Sequence, residues 1–155
     1  MEWHFIGTLQ RNKVRKVLQL FPVIHSISSL KLAAHADRIA EELGLVPRIF
    51  LEVNIGDEKG KHGFDPDELR AAIGEILAMQ NLSLQGLMCI PPRGNTPEES
   101  RPWFAKVRIL QEELESQTGK SFPGLSMGMS GDYEIAIEEG STIVRVGTAI
   151  FGSRR

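Results

Sequence analysis

Cysteine occurs once in these 155 residues, at Cys89, and histidine four times, at His4, His25, His35 and His62. A single thiol excludes an internal disulfide and any cysteine-built metal framework. No two histidines stand four apart, as ligands on one helical turn would, so no resident metal is expected. The apolar run Leu84 to Ile90 around it makes Cys89 read as a buried structural thiol. The chain also lacks a charged start followed by an apolar run, and no stretch approaches the ~18 apolar residues of a membrane span. A cytosolic protein with no membrane partner is expected. An excess of one charge is missing too. Eighteen Lys and Arg against twenty Asp and Glu leave a formal net charge of -2, with no basic run dense enough to track a phosphate backbone, so nucleic acid is not expected as a partner.

What is present is apolar patterning: 41% of the residues are hydrophobic, enough for one domain with a core, spanning residues 1–155. Apolar runs and helical patterns alternate from end to end, the mark of an α/β chain with a parallel sheet. Strands are predicted at Trp3 to Ile6, Val23 to Ile27, Arg48 to Ile55, Leu84 to Ile90, Leu125 to Met127 and Ile143 to Val146. Helices are predicted from Leu9 to Leu20, from a Ser28 or Ser29 cap to Leu43 with Gly44 as its stop, from Asp65-Pro66 to Met79, from Pro97 to Gln117, and from Asp132 to Glu139. The Gly56 to Gly63 loop is polar and glycine-rich, as functional loops after strands tend to be. Six strands each trailed by a helix or turn match most of a (β/α)8 barrel, which in its leanest form needs somewhat over 200 residues. An arc of six would leave two apolar edges and an open core.

The last quarter, Ser126 to Gly152, places small residues and hydroxyls at two points where a strand gives way to a helix. Unpaired backbone N–H groups at such a junction, with the positive end of the helix dipole behind them, form a phosphate cradle without a cationic side chain.

Four blocks in order, Trp3 to Lys13 (W-H-F-I-G-T-L-Q-R-N-K), Glu52 to Phe64 (E-V-N-I-G-D-E-K-G-K-H-G-F), Leu84 to Pro92 (L-Q-G-L-M-C-I-P-P) and the closing segment, resemble the pyridoxal phosphate homeostasis proteins, the YggS/PROSC family. The resemblance runs from Glu2 to the end. It implies a (β/α)8 barrel of the alanine racemase N-terminal type, here with about six of its eight units. It also implies pyridoxal 5′-phosphate as cofactor, a role in vitamin B6 homeostasis without catalytic turnover, and pyridoxal phosphate-dependent apo-enzymes as partners. The positions matching the family's phosphate site are Ser130 with Gly131 and Gly147 with Thr148. Arg145 matches the arginine that faces the pyridine nitrogen in the related racemases. A guanidinium cannot accept a proton there, so the ring remains a poor electron sink. His4 and Asn54 match wall or ring contacts.

The sequence departs from the family in one respect. The Schiff-base lysine of an A-V-S-K motif on the first strand and the F-G-E-N block of the second have no counterpart here, and Lys13, Lys16, Lys31, Lys59, Lys61, Lys106 and Lys120 all fall on predicted helices or loops. No catalytic residue is assigned. The first two units are expected to be missing, with Met1 an alternative start, a truncated product or a deliberate fragment. Each of these positions also suits an ordinary structural role: Ser130 as a helix cap, Arg145 as an ion-pair residue, Gly147-Thr148 as a turn, His4 as a satisfied rim histidine, and Met127 and Met129 as packing residues. Three function classes follow: a homeostasis protein holding the cofactor non-covalently, a racemase-like enzyme, and a fragment or assembly module that completes its barrel with another chain or a second copy of itself. The full-length family implies a monomer, and the short form invites self-association.

Overall fold

Among the described residues, successive strands pair in parallel in sequence order. The computed structural model describes residues 1–152. Its strands are β1 (His4–Phe5), β2 (Val23–Ile27), β3 (Arg48–Val53), β4 (Ser83–Cys89), β5 (Gly124–Met129) and β6 (Ile143–Arg145), ordered β1-β2-β3-β4-β5-β6. Helices α1 (Val14–Leu20), α2 (Leu30–Leu43), α3 (Pro66–Ala78), α4 (Arg101–Thr118), α5 (Tyr133–Glu138) and α6 (Thr148–Phe151) follow the strands in turn. From α1 through α5, each helix packs against the next. β1 and β6 have one neighbour each, so the sheet is a half-barrel, an incomplete (β/α)8 barrel with six of its units.

Local chemistry explains the helix limits. The Ser29 hydroxyl accepts from the Leu32 N–H at 3.2 Å to start α2, and Gly44, at φ 64°, ends it in the left-handed conformation. Asp65 accepts from the N–H groups of Asp67 and Glu68 ahead of Pro66. Along α2 the buried positions Leu32, Ala33, Ala36, Ile39 and Ala40 recur at helical spacing and seal that face against the sheet.

Three expectations shift. The first helix begins later than Leu9: a 3-10 turn at Arg11–Lys13 precedes α1, although Leu9 is buried all the same. The Gly147-Thr148 turn is the start of a helix, since Thr148 opens α6. Met127 is fully buried, but Met129, at the end of β5, is nearly half exposed and belongs to neither core cluster.

The sheet separates two apolar layers. One face, with Ile24, Ile27, Ile49, Leu51, Leu87, Cys89, Leu125 and Met127, packs under the helices. The concave face carries a small cluster, Val23, Phe50 and Met88, with Ile143 against it. That second layer is thin, and polar side chains share it.

Candidate functional site

Alternation along each strand sends the residues between the helix-facing positions onto the concave face, and there the chain places His4 (β1), His25 (β2), Glu52 (β3), Ser126 (β5) and Arg145 (β6). His25 and Ser126 are completely buried. His25 stacks on the Phe50 ring, centroids 4.5 Å apart and planes 17° apart. Gly124 leaves space for that ring, since a Cβ there would stand 2.6 Å from Phe50 Cε1.

A line of hydrogen bonds crosses this face. Glu2 Oε1 lies 3.2 Å from His4 Nε2, His4 Nδ1 lies 2.9 Å from His25 Nε2, and His25 Nδ1 lies 2.7 Å from Ser126 Oγ. Arg145 Nη1 then donates to Ser126 Oγ and to the Ser126 carbonyl, both at 2.7 Å, while Nη2 donates to the Cys89 carbonyl at 2.9 Å. Arginine has five N–H donors, and these three bonds leave two without a partner among the described residues. Burial lowers the pKa of Arg145 from its ordinary value, and it pushes His25 down to about 4, helped by the charges of His4 and Arg145. Burial raises the Glu52 carboxyl, with His62 and Arg145 pulling the other way. Cys89, fully buried, is pushed up to about 12. At the outer end, Glu2 is held below the usual carboxylate range by hydrogen bonds from His4 and from Arg48.

The second part of the site is on the rim, where β5 and β6 end. Ser130 Oγ accepts from the N–H groups of Gly147 at 3.1 Å and Ala149 at 3.2 Å. Those N–H groups belong to the turn that opens α6, so one hydroxyl bridges the two strand ends. Gly131 has no atom within 4 Å of where a Cβ would be and lines an open cleft of about 630 Å³ with Ile90, Pro91, Arg93, Met129 and Asp132. Gly128 lets β5 run against α5: at φ 93°, a Cβ on it would meet Ala136 Cβ at 2.5 Å. Asp132 accepts from the Met129 N–H and the Ser100 hydroxyl, fixing the loop that presents Ser130.

Of the residues singled out in the sequence, Ser130, Gly131, Gly147 and Thr148 share this rim, and Arg145 stands two positions before Gly147. His4 joins Arg145 through His25 and Ser126. Asn54 is committed elsewhere: its amide accepts from the Glu58 N–H and donates to the Glu58 carbonyl, closing the loop after β3. His25 and Ser126 were not predicted as site residues. The one available signal was a polar pair, His25-Ser26, inside an apolar strand. The lysines lie off the strands, on the 3-10 turn, α1, α2 and α4, in the loop after β3, and past Gly119. Among the described residues no cluster of three or more His, Cys, Asp or Glu side chains could hold a metal, and no helix is long and apolar enough to cross a membrane.

Known proteins match this chain in sequence and fold. The family described as alanine racemase, N-terminal domain, matches residues 2–155. The pyridoxal phosphate homeostasis protein of Aquifex aeolicus is 44% identical over 155 residues, 100% of this chain and 68% of that protein. That of Synechocystis sp. is 41% identical, covering 99% of this chain and 71% of its own length. PipY of Synechococcus elongatus, solved with PLP bound, superposes with a TM-score of 0.91 at 42% identity, over 98% of this chain and 71% of that one.

Proposed function

The chain belongs to the pyridoxal phosphate homeostasis proteins, within the alanine racemase N-terminal domain family, and from that premise we propose that it binds pyridoxal 5′-phosphate without turning it over. It would serve as a cytosolic carrier or buffer of vitamin B6 for apo-enzymes that need the cofactor.

The observation that carries this reading is the convergence of Ser130 Oγ with the Gly147 and Ala149 N–H groups at the rim. Backbone N–H groups with a hydroxyl beside them suit a phosphate dianion, because they donate along fixed directions and have no charge of their own to be neutralised. Ser130, Gly131, Gly147 and Thr148 would take the phosphate, with the hydroxyl turning from the N–H groups it now caps to donate to the anion. Arg145 would face the ring end. Its guanidinium, anchored by three bonds, can donate to a ring nitrogen and cannot protonate it. His4 belongs to the wall behind Arg145, and Asn54 contributes by holding the loop after β3 closed. When bound, the cofactor supplies a reactive aldehyde and an electron-withdrawing ring; the residues here bind and orient it.

A non-catalytic role is supported by the relatives, which are named as homeostasis proteins. Lys61 is on an exposed loop, paired with Glu58 at 2.5 Å, and no lysine projects from a strand onto the concave face. A thermal shift on adding pyridoxal phosphate tests the reading. The melting temperature of the wild type is expected to rise, and that of Arg145→Ala and Ser130→Ala to rise less; no rise in the wild type at millimolar cofactor would sink it.

A second reading rests on the sheet edges. Among the described residues β1 and β6 have one neighbour each, and Trp3, Ile6, Ile150 and Phe151, close to them in sequence, are exposed. An assembly that completes the barrel with another copy would cover these edges, and size-exclusion chromatography distinguishes it: a monomer at high concentration rules it out.

A further inference from the structure

The hydrogen-bond line from Glu2 to Arg145 has a single polarity. A guanidinium only donates, so the Ser126 oxygen accepts from Arg145 Nη1 and spends its one proton elsewhere. Its other partner is His25 Nδ1. The Ser126 hydroxyl therefore donates to Nδ1, and His25, kept neutral by burial, carries its proton on Nε2 and donates to His4 Nδ1. His4 then points its Nε2 proton at the Glu2 carboxylate. Each donor meets an acceptor. The opposite polarity strands the Ser126 proton in a fully buried place and requires an additional proton on His4.

We propose that His25 is a positioning residue of the site: its Nδ1 fixes the Ser126 hydroxyl, and that hydroxyl fixes the direction in which Arg145 presents its remaining N–H groups. Of the three acceptors that hold Arg145, the Ser126 and Cys89 carbonyls belong to strand backbone and are set by the sheet. The Ser126 hydroxyl is the one that can swing away by rotation about its Cα–Cβ bond, so it is the one whose direction has to be imposed. Phe50, stacked on His25 over Gly124, keeps the imidazole from turning. The consequence for ligand binding rests on the pyridoxal phosphate reading, with Arg145 at the ring end. The consequence for Arg145 itself does not.

The test uses the two amide substitutions that separate the nitrogens of His25. His25→Asn places an acceptor near Nδ1 and keeps the link to Ser126. His25→Gln reaches toward the Nε2 side and keeps the link to His4. Two readouts are taken: the guanidinium N–H resonances of Arg145 by NMR in the protein alone, and the dissociation constant of pyridoxal phosphate. His25→Asn is expected to preserve the Arg145 resonances and to bind within about twofold of wild type, whereas His25→Gln shifts those resonances and weakens binding about tenfold, the scale of one hydrogen bond to a charged group. Ser126→Ala, a small change if either His25 variant fails to fold, is expected to behave as His25→Gln does. Equal behaviour of the Asn and Gln variants, or Arg145 resonances that ignore Ser126→Ala, would overturn the proposal. If the wild type binds no pyridoxal phosphate, the functional reading fails alone, and the resonances still decide the role of His25.

Discussion

Arg145 Nη2 donates to the Cys89 carbonyl at 2.9 Å, so a side chain at the end of β6 reaches over β5 to the end of β4. Together with its two bonds to Ser126, this ties the last three strands at the end where the rim loops begin.

Arg145→Ala therefore acts on stability as well as on binding. It takes a donor from the Ser126 oxygen, which keeps its bond to His25, and from the Ser126 and Cys89 carbonyls, and a loss of about 2–4 kcal/mol is expected. Urea denaturation measures it. Arg145→Lys should recover only part, because an ammonium cannot reach acceptors on two strands in the fixed fork of a guanidinium.

His25 makes the fold sensitive to mild acid. Its folded pKa of about 4 is below the ordinary imidazole value of 6.5, so between those values the unfolded chain takes up a proton that the folded chain refuses. Stability rises with pH across that window and falls as pH drops from 6.5 to 4, by up to roughly 3 kcal/mol. Melting curves across this range check it, and His25→Asn should flatten the dependence.

Cys89 is expected to resist thiol reagents in the native protein. Burial raises its pKa from 9.0 to about 12, which leaves almost no thiolate at neutral pH. Labelling should proceed at the rate of unfolding. The sign at high pH is opposite to that of His25: as pH rises from about 9 to 12, the unfolded thiol ionises first and stability declines.

Gly128→Ala should disturb the rim from behind. The substituted residue would have to hold φ near 93° with its Cβ 3.0 Å from Tyr133 Cα and 2.5 Å from Ala136 Cβ. Strain and overpacking together are expected to cost about 2–4 kcal/mol, read by thermal melting.

Much of this was legible in the sequence because it is local. The Ser29 and Asp65 caps, the Gly44 stop and the alternation of apolar runs with helical stripes are decided within a few residues, and the strand order follows from short connections. The rim residues were legible for the same reason, since Ser130 and Gly147 stand at strand ends. His25 and Ser126 were not. They are 101 residues apart, and each is one polar position in an apolar strand, so their partnership exists only once the sheet has brought β2 and β5 onto one concave face. Met129 was misplaced for a related reason: it continues the apolar pattern of β5 past the point where the helices cover it. The 3-10 turn before α1 also escaped, because Leu9 belongs to the buried stripe without being helical.

On the proposed reading, the rim between β5 and β6 holds the phosphate of pyridoxal 5′-phosphate. Equilibrium dialysis of the protein against pyridoxal 5′-phosphate and, separately, against pyridoxal, which lacks the phosphate, tests it most directly. Retention of the phosphorylated form, with pyridoxal lost and retention reduced in Ser130→Ala, is the predicted result. Equal retention of both compounds, or of neither, would contradict it.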